Sequence, residues 1–338
     1  MHRFLAGICQ MLLRLTAQQP WMVRGEIEGN HTHVLTDRFD RPILPASSLK
    51  GVLRSTAERI LRSMHPERDP TLCPLADEPF VHREGKRKNA YATWLQAQSR
   101  SHIADSELVE WNNHRKHYPD DALDSTQVYR LLSPASQLFG CTLHRGLVTL
   151  EDAHATESTT WRRSHVAIDR LTGGVGQGPF TDDQVPEQTV LESTLTIHNF
   201  ALWQIGLLAL VFQEISLGYV PVGGGTRKGQ GQMQVEVPSI TFQYSDAAYH
   251  HSGRTGIISA QARLAHPPWS VRDAPSAVTA VEQNLVLLED IEPQLTQEWH
   301  QQGITTLQVQ ETQVPRLFQA AVRDAWRPWI QRMKEGTP

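Results

Sequence analysis

The order of periodic segments along the chain predicts an α+β fold of the βαββαβ type, the ferredoxin-like arrangement. Three observations carry that expectation. Four segments have strand character, two repeat apolar residues at helical spacing, and they follow one another as strand, helix, strand, strand, helix, strand.

Residues 3–16 are apolar on both faces, which predicts a central strand. In 48–64, Leu49, Val52, Leu53, Ala57, Ile60, Leu61 and Met64 form one stripe, and a helix is expected with Ser47 or Ser48 as its N-cap. Strands are expected near 145–152 and 188–198. Residues 200–217 are apolar nearly all round, so they read as a buried helix closed by Gly218. The alternation from Gln232 to Val237 places the last strand at 231–243. Two insertions interrupt the pattern, one at 66–130 and one at 155–187. After Tyr244 the character changes. Residues 246–275 read as loop. Val278, Val281, Leu285, Leu288 and Ile291 then suggest a helix, and a second apolar face runs from Phe318 to Trp329 after Pro315. The expected organisation is a domain over 1–245 with a helical C-terminal extension over 246–338.

Composition bounds the function without choosing it. The 338 residues carry a net charge of −4, so a nucleic-acid surface has to be a local patch. Three well-separated cysteines form no disulfide framework, which fits a reducing cytoplasm. The apolar run from Phe200 to Phe212 is too short to span a bilayer, and Met1-His2-Arg3 opens a strand rather than a signal peptide. A cytoplasmic location without a membrane partner is expected.

Two segments carry chemistry. In Pro45-Ala46-Ser47-Ser48-Leu49-Lys50-Gly51-Val52-Leu53-Arg54, Lys50 and Arg54 lie four apart beside the N-terminus of a helix, where free N–H groups favour an anion. An ordinary capped helix with solvated basic residues explains this segment equally well. In Val222-Gly223-Gly224-Gly225-Thr226-Arg227-Lys228-Gly229-Gln230-Gly231, five glycines accompany a hydroxyl and two cations. Neither phosphate-loop nor dinucleotide spacing is present, and the loop runs into a strand rather than a helix. A helix-to-strand turn is the plain alternative. Backbone contact with a polyanion accounts better for Arg227 and Lys228.

These two segments resemble the repeat-associated mysterious proteins (RAMPs) of CRISPR systems. Gln137-Leu138-Phe139-Gly140 running into Arg145-Gly146-Leu147-Val148 is similar to the stretch before that family's second strand. Val166-Ala167-Ile168-Asp169-Arg170-Leu171-Thr172-Gly173-Gly174 resembles the hairpin of the backbone subunits that polymerise along guide RNA. The resemblance covers roughly 1–243. It implies a ferredoxin-like palm, a thumb-like hairpin that wedges between bases through Ile168 and Arg170, and further copies of the chain in a helical filament with other effector subunits. It also implies guide-RNA (crRNA) contacts from Ser47, Ser48, Lys50, Arg54, Gly223, Gly224, Gly225, Thr226, Arg227 and Lys228, leaving the guide exposed for target pairing. In the finger region, 66–130, Arg83, Lys86, Arg87 and Lys88 are further RNA candidates. The aromatics Tyr91, Trp94, Trp111 and Tyr118 read equally well as a small core.

The chain departs from the family's cleaving members at one place. Those subunits carry an essential aspartate six residues before a second aspartate, which corresponds to Asp37; counting back reaches His31. His31 with His33 is a weak metal signal without a third ligand, and Cys73 with His82 lacks a partner pair. No metal or cofactor is therefore expected. The expectation is a subunit that holds guide RNA without cutting, as in a type IV or an inactive type III complex. The alternative is a RAMP endoribonuclease that cleaves target RNA or processes guide RNA, with His31, His33 and Asp37 as its candidates.

Overall fold

A computed structural model describes residues 5–64, 132–141, 144–156, 159–245, 249–251, 254–260, 285–286, 294–297 and 304–334. In chain order, the first half contributes β1 (Gly7–Ala17), β2 (Arg24–Glu28), β3 (His31–Val34), β4 (Ile43–Leu44), α1 (Ala46–Ser63) and α2 (Pro134–Phe139). Next come β5 (Val148–Leu150), β6 (Ala153–Ala155), β7 (Trp161–Ile168), β8 (Val175–Gln184), β9 (Val190–His198), α3 (Leu202–Ser216) and β10 (Met233–Tyr244). The C-terminal part supplies β11 (Gln294–Gln297), β12 (Thr305–Gln310), α4 (Val314–Ala320) and α5 (Arg327–Lys334), the two helices joined by a π-helical turn over Ala321–Trp326.

The central sheet runs β11-β12-β10-β1-β9-β6-β4, with β5 also paired to β9. Its pairings are antiparallel. β1 is central, as expected, between β9 (Met11 opposite Leu195) and β10 (Met11 opposite Ile240). Its two faces differ, however. Cys9, Met11, Leu13 and Leu15 are buried, while Gln10 is exposed on the opposite face. The buried side is covered by α3, which packs on α1, on β10 and on the C-terminal helical segment. Only a helix apolar around its whole circumference can serve so many neighbours, and Trp203, Leu207, Leu208, Val211, Phe212 and Ile215 are all buried.

Several further expectations are corrected. The N-cap of α1 is Pro45, whose extended backbone (φ −58°, ψ 141°) enters the helix without a side-chain cap. Ser47 and Ser48 lie in the exposed first turn, and the carboxylate of Asp152 takes the capping role by accepting the Ala46 N–H at 2.7 Å. The strand expected near 145–152 is broken: His144–Arg145 pairs with Gly140–Cys141, and only Val148–Leu150 (β5) joins the central sheet there, with β6 following after Glu151 and Asp152. Residues read as loop contain a hairpin, Tyr249–His251 with Arg254–Ile258.

The C-terminal extension, expected to be helical, is partly sheet. Leu285–Val286 pairs with Ile257 and Ile258 where a helix was expected, and β12 extends the central sheet along β10. Leu307 and Val309 are buried while Gln310 is exposed, an alternation that belongs to a half-covered strand. The helix expected after Pro315 is present as α4 and its continuation. The finger positions Arg83, Lys86, Arg87, Lys88, Tyr91, Trp94, Trp111 and Tyr118, together with Cys73 and His82, lie outside the described residues.

A second sheet, β2-β3-β8-β7, stands beside the first. β7 and β8 form the long exposed hairpin expected at 155–187, and β8 runs parallel to β3 with Thr181 opposite His31.

Candidate nucleic-acid interface

The glycine loop is built against the segment Pro20–Met22 that follows β1. Gly224 donates to the Met22 carbonyl at 2.7 Å and Gly231 donates to the Pro20 carbonyl at 3.0 Å. Val222 donates to Gly231 at 2.8 Å, which closes the loop at its base. Thr226–Lys228 form one 3₁₀ turn between Gly225 and Gly229, both in the left-handed conformation. Much of the glycine content is therefore an internal requirement. At Gly231 (φ +85°) a Cβ would run into the Val222 carbonyl. Gly231→Ala is expected to cost at least about 1–2 kcal/mol from the left-handed backbone alone, measured as a lower urea midpoint.

What the loop presents outward is Thr226, Arg227 and Lys228, all exposed. Among the described residues Arg227 makes no hydrogen bond or ion pair, so its donors face solvent. Lys228 reaches Asp182 on β8 at 3.3 Å, and His165 on β7 meets the same carboxylate at 3.1 Å. The loop and the base of the hairpin are thus one surface.

Beyond that base the hairpin projects into solvent. Asp169 organises its tip, one carboxylate oxygen accepting from Leu171 N–H (2.9 Å), Thr172 N–H (2.8 Å) and the Thr172 hydroxyl (3.1 Å). Those donors hold the Asp169 carboxyl below its ordinary range. Ile168, Leu171 and Val175 are exposed around the tip, with Leu171 97% accessible. Arg170 is exposed beside them, and Arg163 is exposed nearer the base, opposite Asp182. Apolar side chains this open at the end of a two-stranded arm need a partner to cover them.

The helix α1 positions behave differently. The Lys50 ammonium donates to the Val148 carbonyl at 3.0 Å; burial first, then the neighbouring cations Arg54 and Arg145, lower its pKa. Arg54 is used by the fold, bonding Glu58 at 2.7 Å, the Gly140 carbonyl at 2.6 Å and the Ser136 hydroxyl at 3.3 Å. Both residues tie α1 to the segment between α2 and β5. No hydrogen bond or ion pair links either to the glycine loop among the described residues. The helix N-terminus read as an anion site already receives Asp152.

Asp37 is likewise committed to its own loop. It accepts from the N–H groups of Phe39 (2.8 Å) and Arg41 (3.1 Å), from the Arg41 guanidinium at 2.7 Å, and meets His154 at 3.3 Å. Burial acts to raise its pKa, but the Arg41 side chain and the two backbone donors outweigh it and bring the value to about 2. A folded value below the ordinary one, near 4, means that Asp37 stabilises the fold above that range and loses the contribution as pH falls towards 2. Asp37→Asn is expected to flatten the acid limb of a stability–pH curve over that window and to leave the neutral limb parallel to the wild type.

His31 and His33 do meet a third group, one that sequence spacing cannot reveal. Asp183 on β8 lies 2.7 Å from His31 Nε2 and 3.0 Å from His33 Nδ1. Asp182 and Asp183 point to opposite faces of their strand, one towards Lys228 and the other towards the histidines. The legible signal was an adjacent carboxylate pair at the buried end of an otherwise exposed strand.

The described residues thus define a sheet-and-helix frame that bears a cationic turn and an exposed two-stranded arm. A model of the RAMP superfamily matches residues 14–234, well over half of the chain, which therefore belongs to that superfamily. Membership implies a CRISPR-associated role in RNA binding. Comparison with curated proteins returns no match. No helix among the described residues is long and apolar enough to cross a membrane.

Proposed function

We propose that this chain is a guide-RNA-binding backbone subunit of a cytoplasmic CRISPR effector, holding crRNA in several copies and leaving it exposed for pairing. The observation that carries the reading is the continuity of the Thr226-Arg227-Lys228 turn with the hairpin base through the Lys228–Asp182 contact. One surface then offers the unpaired Arg227, with Lys228 beside it on Asp182, to phosphates and, further out, apolar side chains to unstacked bases. The central strands lie in the order β10-β1-β9-β5, that is fourth, first, third and second along the βαββαβ series, which supports a ferredoxin-like palm. Contacts from Arg227, Lys228 and the hairpin are the centre of the interface. Lys50 and Arg54 act from within the fold, through the Val148 and Gly140 carbonyls, and Ser47 and Ser48 are exposed in the first turn of α1.

This subunit holds RNA without cutting it. Asp37 is saturated by Arg41, Phe39 and His154, and His31 stands where the cleaving relatives have an aspartate. The nuclease reading is favoured by one observation, the convergence of His31 and His33 on Asp183. Two assays separate them. Titration on single-stranded RNAs of increasing length is expected to give stepwise binding, one step per added protomer. Incubation of the loaded complex with complementary RNA and divalent metal is expected to leave the target intact. Cleavage lost in the His31→Ala protein would establish the nuclease instead.

A further inference from the structure

We infer that His31, His33 and Asp183 form a binding site for one borderline divalent transition metal, Zn²⁺ by ligand preference, tying the hairpin base to β3. The ligand set comes from strand geometry. His31 and His33 are two apart on β3 and share a face. Parallel pairing sets Thr181 opposite His31, so Asp183, two residues on, shares that face beside His33. The three ligand atoms lie within 4.8 Å of one another, the one such grouping of His, Cys and carboxylate groups among the described residues.

The spacing suits a metal. Zinc–nitrogen and zinc–oxygen bonds of about 2.0–2.1 Å put tetrahedral ligand atoms roughly 3.3 Å apart. The observed 2.7 and 3.0 Å separations, each to a different oxygen of Asp183, need to open by roughly 0.3–0.6 Å. The histidine rings are already close, with centroids 4.0 Å apart. Asp183 offers a different oxygen to each ring, so small rotations admit an ion between them.

Surrounding groups fit the chemistry. With Nδ1 of His33 as ligand, its Nε2–H faces Glu28 at 3.6 Å, the outer carboxylate that commonly orients a metal-bound imidazole. Arg162 stands 3.7 Å from Asp183 on a largely exposed side chain that can turn to solvent. Two imidazoles and one carboxylate select Zn²⁺, Co²⁺ or Ni²⁺ over Mg²⁺ or Ca²⁺, which prefer all-oxygen sets. Three protein ligands leave the fourth position to water.

Co²⁺ titration of the tag-free full chain tests the site, because tetrahedral Co²⁺ absorbs visibly and reports its ligands. One equivalent with such bands, displaced by Zn²⁺ but not by Mg²⁺, is expected. His33→Gln and Asp183→Asn are each expected to weaken Zn²⁺ binding more than about a hundredfold and to remove one equivalent from the bound metal. Because the wild-type spectrum needs no variant to fold, the two readouts are independent. Colourless wild-type protein, or variants that keep the wild-type stoichiometry and affinity, would overturn the site. Neither result depends on RNA binding, so it leaves the functional proposal untouched.

Discussion

Trp326→Ala lowers the stability of the chain by about 3–5 kcal/mol, the range for deleting a fully buried large aromatic side chain. Trp326 is fully buried at the π-helical turn and sits among Trp329, at 5.4 Å between ring centroids, and Trp203 of α3, at 6.3 Å. Trp203 and Trp329 stack directly at 4.1 Å. This cluster joins the C-terminal segment to the helix that covers the central sheet. The fit is close, since a Cβ on Gly206 of α3 would lie 2.8 Å from both the Ala321 carbonyl oxygen and the Trp326 Cβ. Nothing in that packed wall can collapse cheaply into the space of an indole. The indole N–H finds no acceptor among the described residues, so the loss is one of packing and apolar burial. Trp326→Phe is accordingly expected to recover more than half of it. Urea unfolding monitored by far-UV circular dichroism measures both. An unchanged midpoint for the alanine variant would show that residues 304–334 do not complete the core, although they lie beyond the family-matched segment.

Changing Arg227 and Lys228 together to Ala weakens RNA binding by about 2 kcal/mol, roughly thirtyfold. The loss falls equally on all spacer sequences, because both cations address phosphate and neither reads a base. Lys228 contributes less, since Asp182 already competes for it at 3.3 Å. The salt dependence is the sharper readout. Each phosphate contact on a single strand contributes about −0.7 to the slope of log K against log salt, so the double variant flattens it by about 1.4 at most. Fluorescence anisotropy on two RNAs of unrelated sequence between low and moderate salt checks the size and the uniformity of the effect. The loop is held by main-chain bonds to Pro20 and Met22, so truncating two exposed side chains leaves its shape intact.

Five of the six elements of the βαββαβ series, β1, α1, β9, α3 and β10, lie where their apolar patterns put them, and the expected second strand is broken into short pieces. The failures have physical causes. Leu285 and its neighbours fit a helical spacing, but a short apolar run fits a strand as well, and pairing with Ile257 and Ile258 decided it. The alternation of Leu307 and Val309 was present and went unread. The second sheet left little trace, because Arg24–Glu28 is short, polar and exposed and is held by partners distant in the chain.

The candidate site divides in the same way. Thr226, Arg227 and Lys228 were visible as a hydroxyl and two cations on a glycine loop, and the hairpin as an insertion that resembles the family's thumb. Lys50 and Arg54 were assigned by helix position alone. Their tips instead fold onto the Val148 and Gly140 carbonyls, contacts across nearly a hundred residues that no local pattern encodes. Asp183 was missed for the same reason, since it meets His31 and His33 only through the parallel register of β3 and β8.

The central claim is that the chain holds guide RNA, and the most direct measurement is made on protein expressed with its neighbouring genes and a CRISPR array. The purified complex is read by absorbance at 260 against 280 nm, and its nucleic acid is sequenced. The account predicts bound RNA of repeat–spacer length, with several protomers per molecule. Protein that emerges free of RNA with the array present would contradict it.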